Sequence, residues 1–599
     1  MRKFTLFLFA ITFILLNSNN NLELNAETKI APTKNGLISI SDEEYQSIIN
    51  DMQDADDIGF DNIFTVTEDY NLPSYNPNHS YKSAETTSFP STFDLRTYNL
   101  VTPVRRQLTY GTCWAFSALA SVETNLIKRY NQPQNLDLSE WHLAYFTYTG
   151  NTSFTPANTT NIFYEGGSNN YATTILSKWI GTVFEATVPY NSGTTFDESL
   201  RFNADFHMQD AYNIRPWIED PYSYSVDEIK DLLFQKNALS ISYYSNENYY
   251  NSQTASHFCN EDIKPDHGST IIGWDDNYPK ENFLSNMQPQ NNGAWLVKNS
   301  WGTSWGKEGY FWLSYEDKTL KSMSAFFAEP KNNYLNNYSY DEFGYYTTIS
   351  ADRNQTKTTS YMSNIYTAKE NEYVSAVSFF TFEPNTSYEI LVYNKLTNKA
   401  VPSSGTASEK TIGTEKYSGY HTIKLNTPIP ISTGESFSTV VKITSPTTTY
   451  CIPVEAYMVI ELDGQIYANI DYKKYNDNSA FGQSYISSDG LRWTDINKSS
   501  YTYKSTSHYN LSTSNISIKN VYLGNVCLKT FTSKEITENI SGDINKDGLV
   551  SYIDFILLKS FLLMSDSLEL DINVADLNAD ANIDVFDMIL LKKIILQSN

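Results

Sequence analysis

The sequence predicts a multidomain fold with an α+β region, an all-β sandwich and a small α-helical domain. The chain has 599 residues, too many for one hydrophobic core, since domains usually contain about 50 to 200 residues. Residues 335–532 alternate polar and apolar side chains between frequent turn residues, a pattern typical of short β-strands. Residues 543–587 contain an internal repeat with an offset of 33 residues, and an apolar helical pattern follows each copy. These observations predict at least three separate cores.

The chain is strongly acidic and contains few cysteines. Its net charge of −25 argues against nucleic acid or an anionic membrane surface as a partner, because both would repel it. Four cysteines are few for an extracellular protein. If one of them is a nucleophile, at most one disulfide can form among the remaining three.

The N-terminus has the layout of a secretory signal peptide. Arg2 and Lys3 precede a mainly apolar run that ends at Leu16, and the small residue Ala26 follows. Such a run is too short for a membrane span, which needs about 20 residues, and no later run approaches that length. We therefore expect residues 1–26 to be a signal peptide and the protein to be secreted, without a membrane span.

The stretch from Gln107 to Ile127, QLTYGTCWAFSALASVETNLI, predicts a helix that begins near Cys113. The apolar residues after Cys113 recur at helical spacing, so one face of this helix should be buried. A thiol in the first helical turn lies close to unpaired N–H groups and to the positive end of the helix dipole, which lower its pKa. A buried core cysteine is the alternative that this stretch alone leaves open.

Two distant segments supply the groups that a nucleophilic thiolate requires. His267 occurs in DHGSTIIGWDDNY and Asn299 in WLVKNSWGTSWG, each next to a strand-like run, 154 and 186 residues after Cys113. A thiolate needs a base, and the base needs a group that orients it. The order Cys, His, Asn and the sequences around these residues resemble the papain-like cysteine peptidases.

This resemblance implies a role for each matching residue. Cys113 would attack the peptide carbonyl and form a thioester, His267 would act as acid and base, and Asn299 would orient His267. Gln107 matches the glutamine of the oxyanion hole, and Trp301 matches the indole that shields the His–Asn pair. Gly166 and Gly167, in EGGSNNYA, match the backbone that pairs with the substrate. No cofactor is expected for catalysis.

The resemblance also predicts the limits of the peptidase. FPSTFDLR at 89–96 resembles the start of the mature enzymes, which implies a two-lobed α+β papain-like domain over residues 89–325. Residues 27–88 would then be a propeptide that covers the cleft, and a disordered acidic linker is the alternative. Tyr110, Tyr145 and Phe146 stand at or near positions where many members have cysteines, so the usual disulfides are absent.

Residues 335–532 contain several strand-like segments, among them VSAVSFFTF, YEILVYNK and ESFSTVVKI. Together with SYISSDGLRWTDI and NVCLKTF, these segments resemble the lectin-like domain of clostridial cell-surface cysteine proteases. The resemblance implies a β-sandwich. Binding of cell-surface or plant glycans is one implied role, and a structural role beside the peptidase is the alternative.

The repeat near the C-terminus has the spacing of calcium-binding loops. DINKDGLVSYID and DLNADANIDVFD place oxygen-bearing side chains at positions 1, 3, 5, 9 and 12. Two such loops in residues 540–599, each followed by a helix containing ILLK, resemble a type I dockerin with two structural calcium ions. Position 7 contributes its backbone carbonyl. The predicted ligands are Asp543, Asn545, Asp547, Leu549, Ser551 and Asp554 in the first loop, and Asp576, Asn578, Asp580, Asn582, Asp584 and Asp587 in the second.

The resemblance to dockerins implies a cohesin domain of a scaffold protein as partner. At loop positions 10 and 11, which the family uses for recognition, the chain has Tyr552–Ile553 and Val585–Phe586. These apolar pairs predict a hydrophobic docking surface on the cohesin, and packing inside the dockerin is the alternative.

The expected protein is a secreted cysteine endopeptidase zymogen that acts on peptides or proteins and belongs to a cellulosome or a cell-surface assembly. Two alternatives from other functional classes remain at this point. The papain-like region could be an inactive inhibitor or binding subunit, or the β-sandwich could be the functional centre as a carbohydrate-binding module.

Overall fold

The computed structural model describes most of the chain from residue 89 onward. The predicted signal peptide, and the predicted propeptide apart from residues 38–39, lie outside the described residues. The described ranges are 38–39, 89–149, 162–193, 196–214, 225–263, 265–352, 354–462, 465–468, 481–497, 508–511, 514–534, 541–545, 550–563, 570–578, 580 and 582–598.

The elements up to residue 330 include the helices and strands of the α+β region. In chain order they are β1 (Ile38–Ser39), β2 (Thr92–Asp94), α1 (Cys113–Tyr130), α2 (Glu140–Tyr148), α3 (Asn169–Leu176), β3 (Phe206–Ile214), α4 (Val226–Asp231), β4 (Leu239–Tyr243), β5 (Tyr250–Asn251), β6 (Ser256–His257), β7 (His267–Asp275), β8 (Ala294–Lys298), β9 (Tyr310–Ser314) and β10 (Lys321–Pro330).

The remaining elements are β-strands up to residue 533 and helices after it. The strands are β11 (Asn336–Tyr338), β12 (Thr347–Ile349), β13 (Thr359–Thr367), β14 (Glu372–Thr381), β15 (Thr386–Asn394), β16 (Thr406–Ala407), β17 (Thr411–Glu415), β18 (Ser418–Ile431), β19 (Ser436–Thr444), β20 (Ile452–Leu462), β21 (Gln465–Ala468), β22 (Ser484–Ser487), β23 (Thr494–Asp495), β24 (His508–Leu511), β25 (Ser514–Val526) and β26 (Leu528–Ser533). The helices are α5 (Tyr552–Leu563), α6 (Ile572–Ala575) and α7 (Val585–Ser598).

The α+β region has two cores on opposite sides of α1. One core packs α1, α2 and α3 together through such residues as Leu119, Leu143 and Ile175. The other covers the sheet β3-β10-β4-β7-β8-β9 and includes Trp274 and Trp295. The helix α1 contacts β10, β7 and β4. It therefore lies at the boundary between a helical lobe and a β-rich lobe.

Buried polar side chains of α1 make hydrogen bonds that fix the helix against this sheet. The Ser117 hydroxyl lies 2.7 Å from the Ser240 hydroxyl on β4. The Ser121 hydroxyl donates to the Ala238 carbonyl at 2.6 Å and accepts from the Phe326 N–H at 2.9 Å. Each of these buried hydroxyls thus has a hydrogen-bond partner in the sheet and is not left unpaired.

The β-rich region after residue 330 forms two sheets of its own and also extends the sheet of the α+β region. One of its sheets has the order β16-β15-β19-β13-β22-β23 and the other β1-β21-β20-β25-β24. Strands β11, β26, β14 and β18 continue the first region's sheet, because β18 pairs with β3. The sequence predicts separate cores and does not predict this shared sheet.

The junction between the two regions requires a glycine. Gly419 pairs with Tyr212 across the two strands, with φ at +127°, and a Cβ at this position would lie 2.1 Å from the Ala211 carbonyl oxygen. Only glycine allows this approach. Side chains add hydrogen bonds across the junction, including Asn337 Nδ2 to the Ser177 carbonyl at 3.0 Å and Asn170 Nδ2 to the Tyr345 carbonyl at 3.2 Å.

The C-terminal helices α5 and α7 contact each other around a small core. Its buried residues are Ile544, Leu558, Ala575 and Leu591. Among the residues that the structure describes, no helix combines the length and the hydrophobicity that a membrane span needs.

Candidate active site and calcium loops

The Cys113 thiol lies at the N-terminal end of α1, as the sequence predicts. Residue Thr112 precedes the helix, and its carbonyl accepts from the Ala115 N–H at 2.9 Å. Cys113 as a residue is partly exposed, and its thiol is not part of a disulfide. Because the first N–H groups of a helix point toward this end, the position suits an anion that forms during a reaction.

His267 begins β7, and a close backbone contact brings it beside Cys113. A Cβ on the next residue, Gly268, would lie 3.1 Å from the Trp114 Cα and 3.2 Å from the Cys113 carbonyl. Strand β7 therefore touches the first turn of α1. This contact places the residue after His267 against Cys113 and Trp114.

Asn299 follows β8 and binds the imidazole of His267. The His267 Nε2–H donates to Asn299 Oδ1 at 2.8 Å, and the Ser300 N–H donates to the same oxygen at 2.8 Å. The other ring nitrogen of His267, Nδ1, is not bonded to Asn299. The ring of Trp301 lies 4.6 Å from the imidazole ring and covers the pair. The structure thus brings His267, Asn299 and Trp301 together as the sequence predicts.

Gln107 is held at the other side of Cys113. Its N–H donates to the Ser300 carbonyl at 2.8 Å, its side-chain Oε1 accepts from the Ser300 hydroxyl at 2.7 Å, and its Nε2 donates to the Tyr110 carbonyl at 2.8 Å. One Nε2–H is thereby used to fix the amide, and the amide has a second N–H for an oxyanion. The Gln107 segment and the Asn299 segment are therefore one connected unit.

Tyr190 supports this unit, and the sequence analysis did not identify it. Its hydroxyl donates to the Gln107 carbonyl at 2.8 Å and lies 2.5 Å from the Thr112 hydroxyl. It therefore links the residue that precedes the nucleophile to the predicted oxyanion donor. No local motif marks Tyr190, which lies 77 residues after Cys113.

A buried ionic network joins the three catalytic segments and was also missed. Glu123 on α1 accepts from Arg105 Nη1 at 2.8 Å and from the Thr102 hydroxyl at 2.6 Å. Lys298 Nζ donates to the Thr102 hydroxyl at 2.9 Å. Since Arg105 lies two residues before Gln107 and Lys298 directly precedes Asn299, this network connects both segments to the helix of Cys113.

Gly166 and Gly167 lie beside the nucleophile and differ in their backbone bonds. A Cβ on Gly167 would lie 2.3 Å from the ring of Trp114, so only glycine fits. The Gly166 carbonyl accepts from the Tyr148 hydroxyl. Within the described residues, Gly167 makes no backbone hydrogen bond in the turns and loops. Of the predicted substrate-binding residues Gly166, Gly167 and Trp301, Gly167 is thus the glycine without a described backbone hydrogen bond in the turns and loops.

Aromatic residues occupy the region where related enzymes have disulfides. The Tyr145 ring stacks on Phe196 at 3.7 Å, and the Tyr110 ring contacts Trp141 at 4.8 Å. Such ring pairs each stabilise a fold by about 0.5 to 1.5 kcal/mol beyond their buried area. Cys259, Cys451 and Cys527 are buried and free, so the disulfide that the cysteine count permits does not form.

The environment of Cys113 and His267 favours the uncharged forms of both groups. Burial raises the pKa of the Cys113 thiol, and hydrogen bonds with the backbone of Gly268 and Trp114 lower it only in part. Burial also lowers the pKa of His267 to about 4, against the opposing effect of its bond to Asn299. The sequence predicts a lowered thiol pKa from the helix end. The loss of water around the thiol outweighs that effect.

The C-terminal loops fold around the carboxylate at position 12. Asp554 Oδ1 accepts from the Asn545 N–H at 3.0 Å, and Oδ2 accepts from the Ser551 N–H at 2.7 Å. In the second loop Asp587 accepts in the same way from the N–H groups of Leu577 and Asp584, both at 2.8 Å. Both position-12 carboxylates are buried within loops of oxygen donors.

This donor set fits calcium. Calcium prefers carboxylate, amide and carbonyl oxygens, and the loops contain no nitrogen or sulfur ligand. The described ligand candidates are Asp543, Asn545, Ser551, Asp554, Asp576, Asn578, Asp580, Asn582, Asp584 and Asp587; Asp547 and Leu549 lie outside the described residues.

Three of the four residues predicted to bind a cohesin are exposed. Tyr552 is 66% exposed, Val585 49% and Phe586 61%. Ile553 is half-buried. Packing inside the dockerin therefore does not account for Tyr552, Val585 and Phe586.

Comparison with known proteins agrees with this division of the chain. Residues 89–328 match the family model "Papain family cysteine protease", residues 337–532 match "Lectin like domain", and residues 541–596 match "Dockerin type I domain".

Individual relatives match the first of these regions. A "Cysteine protease" of Blomia tropicalis is 27% identical over 238 residues, which are 39% of this chain and 63% of that protein. "Procathepsin L" of Mus musculus is 29% identical over 226 residues, which are 37% of this chain and 59% of that protein. The chain thus spans about three fifths of the length of these curated relatives.

Solved structures match a larger part of the chain. The clostridial cysteine protease Cwp84 after propeptide cleavage is 25% identical with a TM-score of 0.59, and the match covers 74% of this chain and all of that chain. The cysteine protease and lectin-like domains of Cwp84, described as a surface layer associated protein of Clostridium difficile, are 22% identical with a TM-score of 0.57. That match covers 84% of this chain and 99% of the other and confirms the fold of the first two regions. The chain therefore contains three consecutive regions that match, in order, a papain family cysteine protease, a lectin-like domain and a type I dockerin domain.

Proposed function

We propose that the protein is a secreted cysteine endopeptidase, made as a zymogen and attached to a cellulosome scaffold by its dockerin. The observation that carries the enzymatic part is the His267–Asn299 bond of 2.8 Å, on a strand that touches the first turn of the Cys113 helix. An inactive binding module has no need for this bond or for the fixed Gln107 amide.

The proposed mechanism gives each residue a role. The Cys113 sulfur attacks the substrate carbonyl while its proton passes to His267 Nδ1, and Gln107 Nε2–H and the Cys113 N–H stabilise the oxyanion. His267 then protonates the leaving amine, and a thioester remains on Cys113. His267 next takes a proton from water, which hydrolyses the thioester and restores the thiol. Asn299 keeps the imidazole oriented throughout.

Hydrolysis of fluorogenic peptides by the processed protein tests this proposal. We expect turnover that a thiol-directed epoxide inhibitor abolishes, with one inhibitor bound per chain at Cys113. Absence of hydrolysis across a broad peptide panel, together with an unreactive Cys113, would favour the binding-subunit alternative.

The zymogen proposal rests on the length of the segment 27–88 before the peptidase region and on one strand pairing. Ile38 and Ser39 form β1, which pairs with Ala468 and Tyr467 of β21 in the lectin-like domain. A propeptide attached at this sheet can extend from there toward the cleft. We expect the unprocessed protein to be nearly inactive and cleavage near Ser88 to release activity, measured with the same peptides. Equal rates before and after cleavage would contradict autoinhibition.

The attachment proposal rests on the two loops and on the exposed pairs beside them. Calorimetry with a panel of cohesins measures the binding of the dockerin. We expect Tyr552→Ala/Ile553→Ala and Val585→Ala/Phe586→Ala to weaken binding to different degrees, because the two pairs differ in shape. We expect EDTA to abolish binding, because calcium supplies much of the folding free energy of so small a domain. Binding that EDTA leaves undiminished would exclude a calcium-folded dockerin.

A further inference from the structure

Three carboxylates converge behind the loop that holds Gln107. Asp137, Glu140 and Glu185 each offer one oxygen, and these atoms all lie within 4.8 Å of one another. Main-chain pairing holds the segments together, since the Glu185 N–H donates to the Asp137 carbonyl at 2.8 Å and Leu138 pairs with Phe184. The convergence therefore does not depend on flexible side chains alone.

Glu140 points into this cluster without a hydrogen bond at Oε1. Its side chain is only 2% exposed, and within the described part of the chain Oε1 accepts no hydrogen bond. The guanidinium nitrogen Nη1 of Arg105 lies 3.9 Å from this oxygen. The second oxygen of Glu185, Oε2, is likewise buried without a hydrogen-bond partner. Buried carboxylate oxygens in this condition cost free energy unless a positive charge or a proton neutralises them.

The neighbouring cations are shared between this cluster and other partners. Arg105 Nη1 donates to Glu123 at 2.8 Å and Nη2 to the Leu136 carbonyl at 2.5 Å, while Lys298 donates to Thr102 at 2.9 Å. Arg105 Nε also lies 2.7 Å from Asp137 Oδ1. Two cationic side chains thus face four carboxyl groups, those of Glu123, Asp137, Glu140 and Glu185, so the acidic groups outnumber the cations.

We propose that Asp137, Glu140 and Glu185 bind a hard divalent cation, with calcium as the best match. The donors are all carboxylate oxygens, which calcium prefers, and no imidazole or thiolate is present in the cluster to favour zinc. The Asp137 side chain is 41% exposed, so a cation reaches the cluster from solvent. We call this cluster the three-carboxylate site.

The three-carboxylate site is connected to the catalytic loop. Glu185 Oε1 accepts from the Tyr190 N–H at 2.5 Å, and the Tyr190 hydroxyl donates to the Gln107 carbonyl at 2.8 Å. A bound cation fixes Glu185 and thereby the residue that holds Gln107. The binding claim does not depend on the proposed peptidase activity.

Terbium luminescence of the full-length protein tests this proposal and separates the site from the dockerin. Terbium replaces calcium at oxygen sites and emits when a nearby tryptophan is excited. Trp141 directly follows Glu140, whereas residues 541–599 contain no tryptophan. With excitation at the red edge of the tryptophan band, terbium in the dockerin stays dark. We expect saturable emission that added calcium displaces.

Three variants assign the emission to the three-carboxylate site. Loss of one charged ligand should weaken terbium binding by roughly tenfold or more in Glu140→Gln, Glu185→Gln and Asp137→Asn. The matched control Glu281→Gln, an exposed acidic residue of the same domain, should leave binding unchanged. Glu185→Gln and Asp137→Asn keep the test valid if Glu140→Gln does not fold. Absence of tryptophan-excited emission, or emission that Glu185→Gln and Asp137→Asn retain in full, would overturn the proposal and leave protons to neutralise the carboxylates.

Discussion

The peptidase domain and the dockerin build their sites in opposite ways. The peptidase gathers Gln107, Cys113, His267 and Asn299 from distant parts of the chain, and a core with many buried aromatic residues holds them. Each dockerin loop is one continuous stretch of twelve residues, from 543 to 554 and from 576 to 587. The first site therefore depends on tertiary packing, and we expect the second to depend on calcium bound in its loops.

The difference in core size explains why the dockerin needs the ion. Among the described residues its buried apolar side chains are Ile544, Leu558, Val574, Ala575 and Leu591, and burial of a few such side chains contributes only about 1.5 to 3 kcal/mol for each large one. The entropy of ordering loops and helices costs about 1 to 2 kcal/mol per residue. We therefore expect metal binding to supply part of the folding free energy of the dockerin. The peptidase region has larger buried cores and a sheet that continues into the lectin-like domain, so we expect its fold to depend less on a bound ion.

The largest expected effect concerns the nucleophile. Cys113→Ala should abolish peptide hydrolysis, because no other group can form the thioester, and should leave calcium binding and cohesin binding unchanged. The matched control is Cys259→Ala, which removes a buried thiol elsewhere in the same domain and should retain activity. Peptide assays and calorimetry measure the two properties on the same samples. Substantial turnover by Cys113→Ala would exclude Cys113 as the nucleophile.

The reciprocal change should affect only the dockerin. Asp554→Ala combined with Asp587→Ala removes both buried position-12 carboxylates, and we expect complete loss of cohesin binding with normal hydrolysis. Asp566→Ala, an acidic residue between the two loops, serves as the control and should bind cohesin normally. If the double variant also lost hydrolysis, the two regions would be coupled. That result would contradict the independence of the peptidase site from the dockerin loops.

A smaller effect is expected at the oxyanion donor. Gln107→Ala should lower kcat by about 10² to 10³, because the backbone N–H of Cys113 remains as a donor. Gln134→Ala, an exposed glutamine of the same domain, should have no effect. The thermal unfolding of both variants should be measured, since Gln107 also binds Ser300. An unchanged kcat for Gln107→Ala would mean that another group stabilises the oxyanion.

The sequence predicted the parts of the active site that lie in local motifs. Cys113 at a helix start, His267 at a strand start and Asn299 after a strand are each visible in a short segment. The calcium loops are visible for the same reason. Their contiguous spacing alone indicates the ligands.

The remaining features depend on contacts between distant segments and left no local pattern. The pairing of β18 with β3 joins two domains through backbone bonds, which most residue types can form, and only Gly419 is specific to it. The raised pKa of Cys113 depends on the loss of water when β7 covers α1. Tyr190 is identified only by the positions of Gln107 and Thr112, which are separated from it by about 80 residues.

The smallest expected effect tests this support by Tyr190. Tyr190→Phe removes the hydroxyl that binds the Gln107 carbonyl and Thr112 but keeps the ring that contacts Trp141 and Phe116. A hydrogen bond of this kind contributes about 0.5 to 1.5 kcal/mol, so kcat should fall roughly two- to tenfold while KM changes little. Tyr164→Phe, at an exposed tyrosine of the same lobe, is the control. If the hydroxyl acts on catalysis through Gln107 rather than through Thr112, Tyr190→Phe should add nothing to the loss caused by Gln107→Ala in the double variant. Additive losses would mean that Tyr190 acts independently of the oxyanion donor.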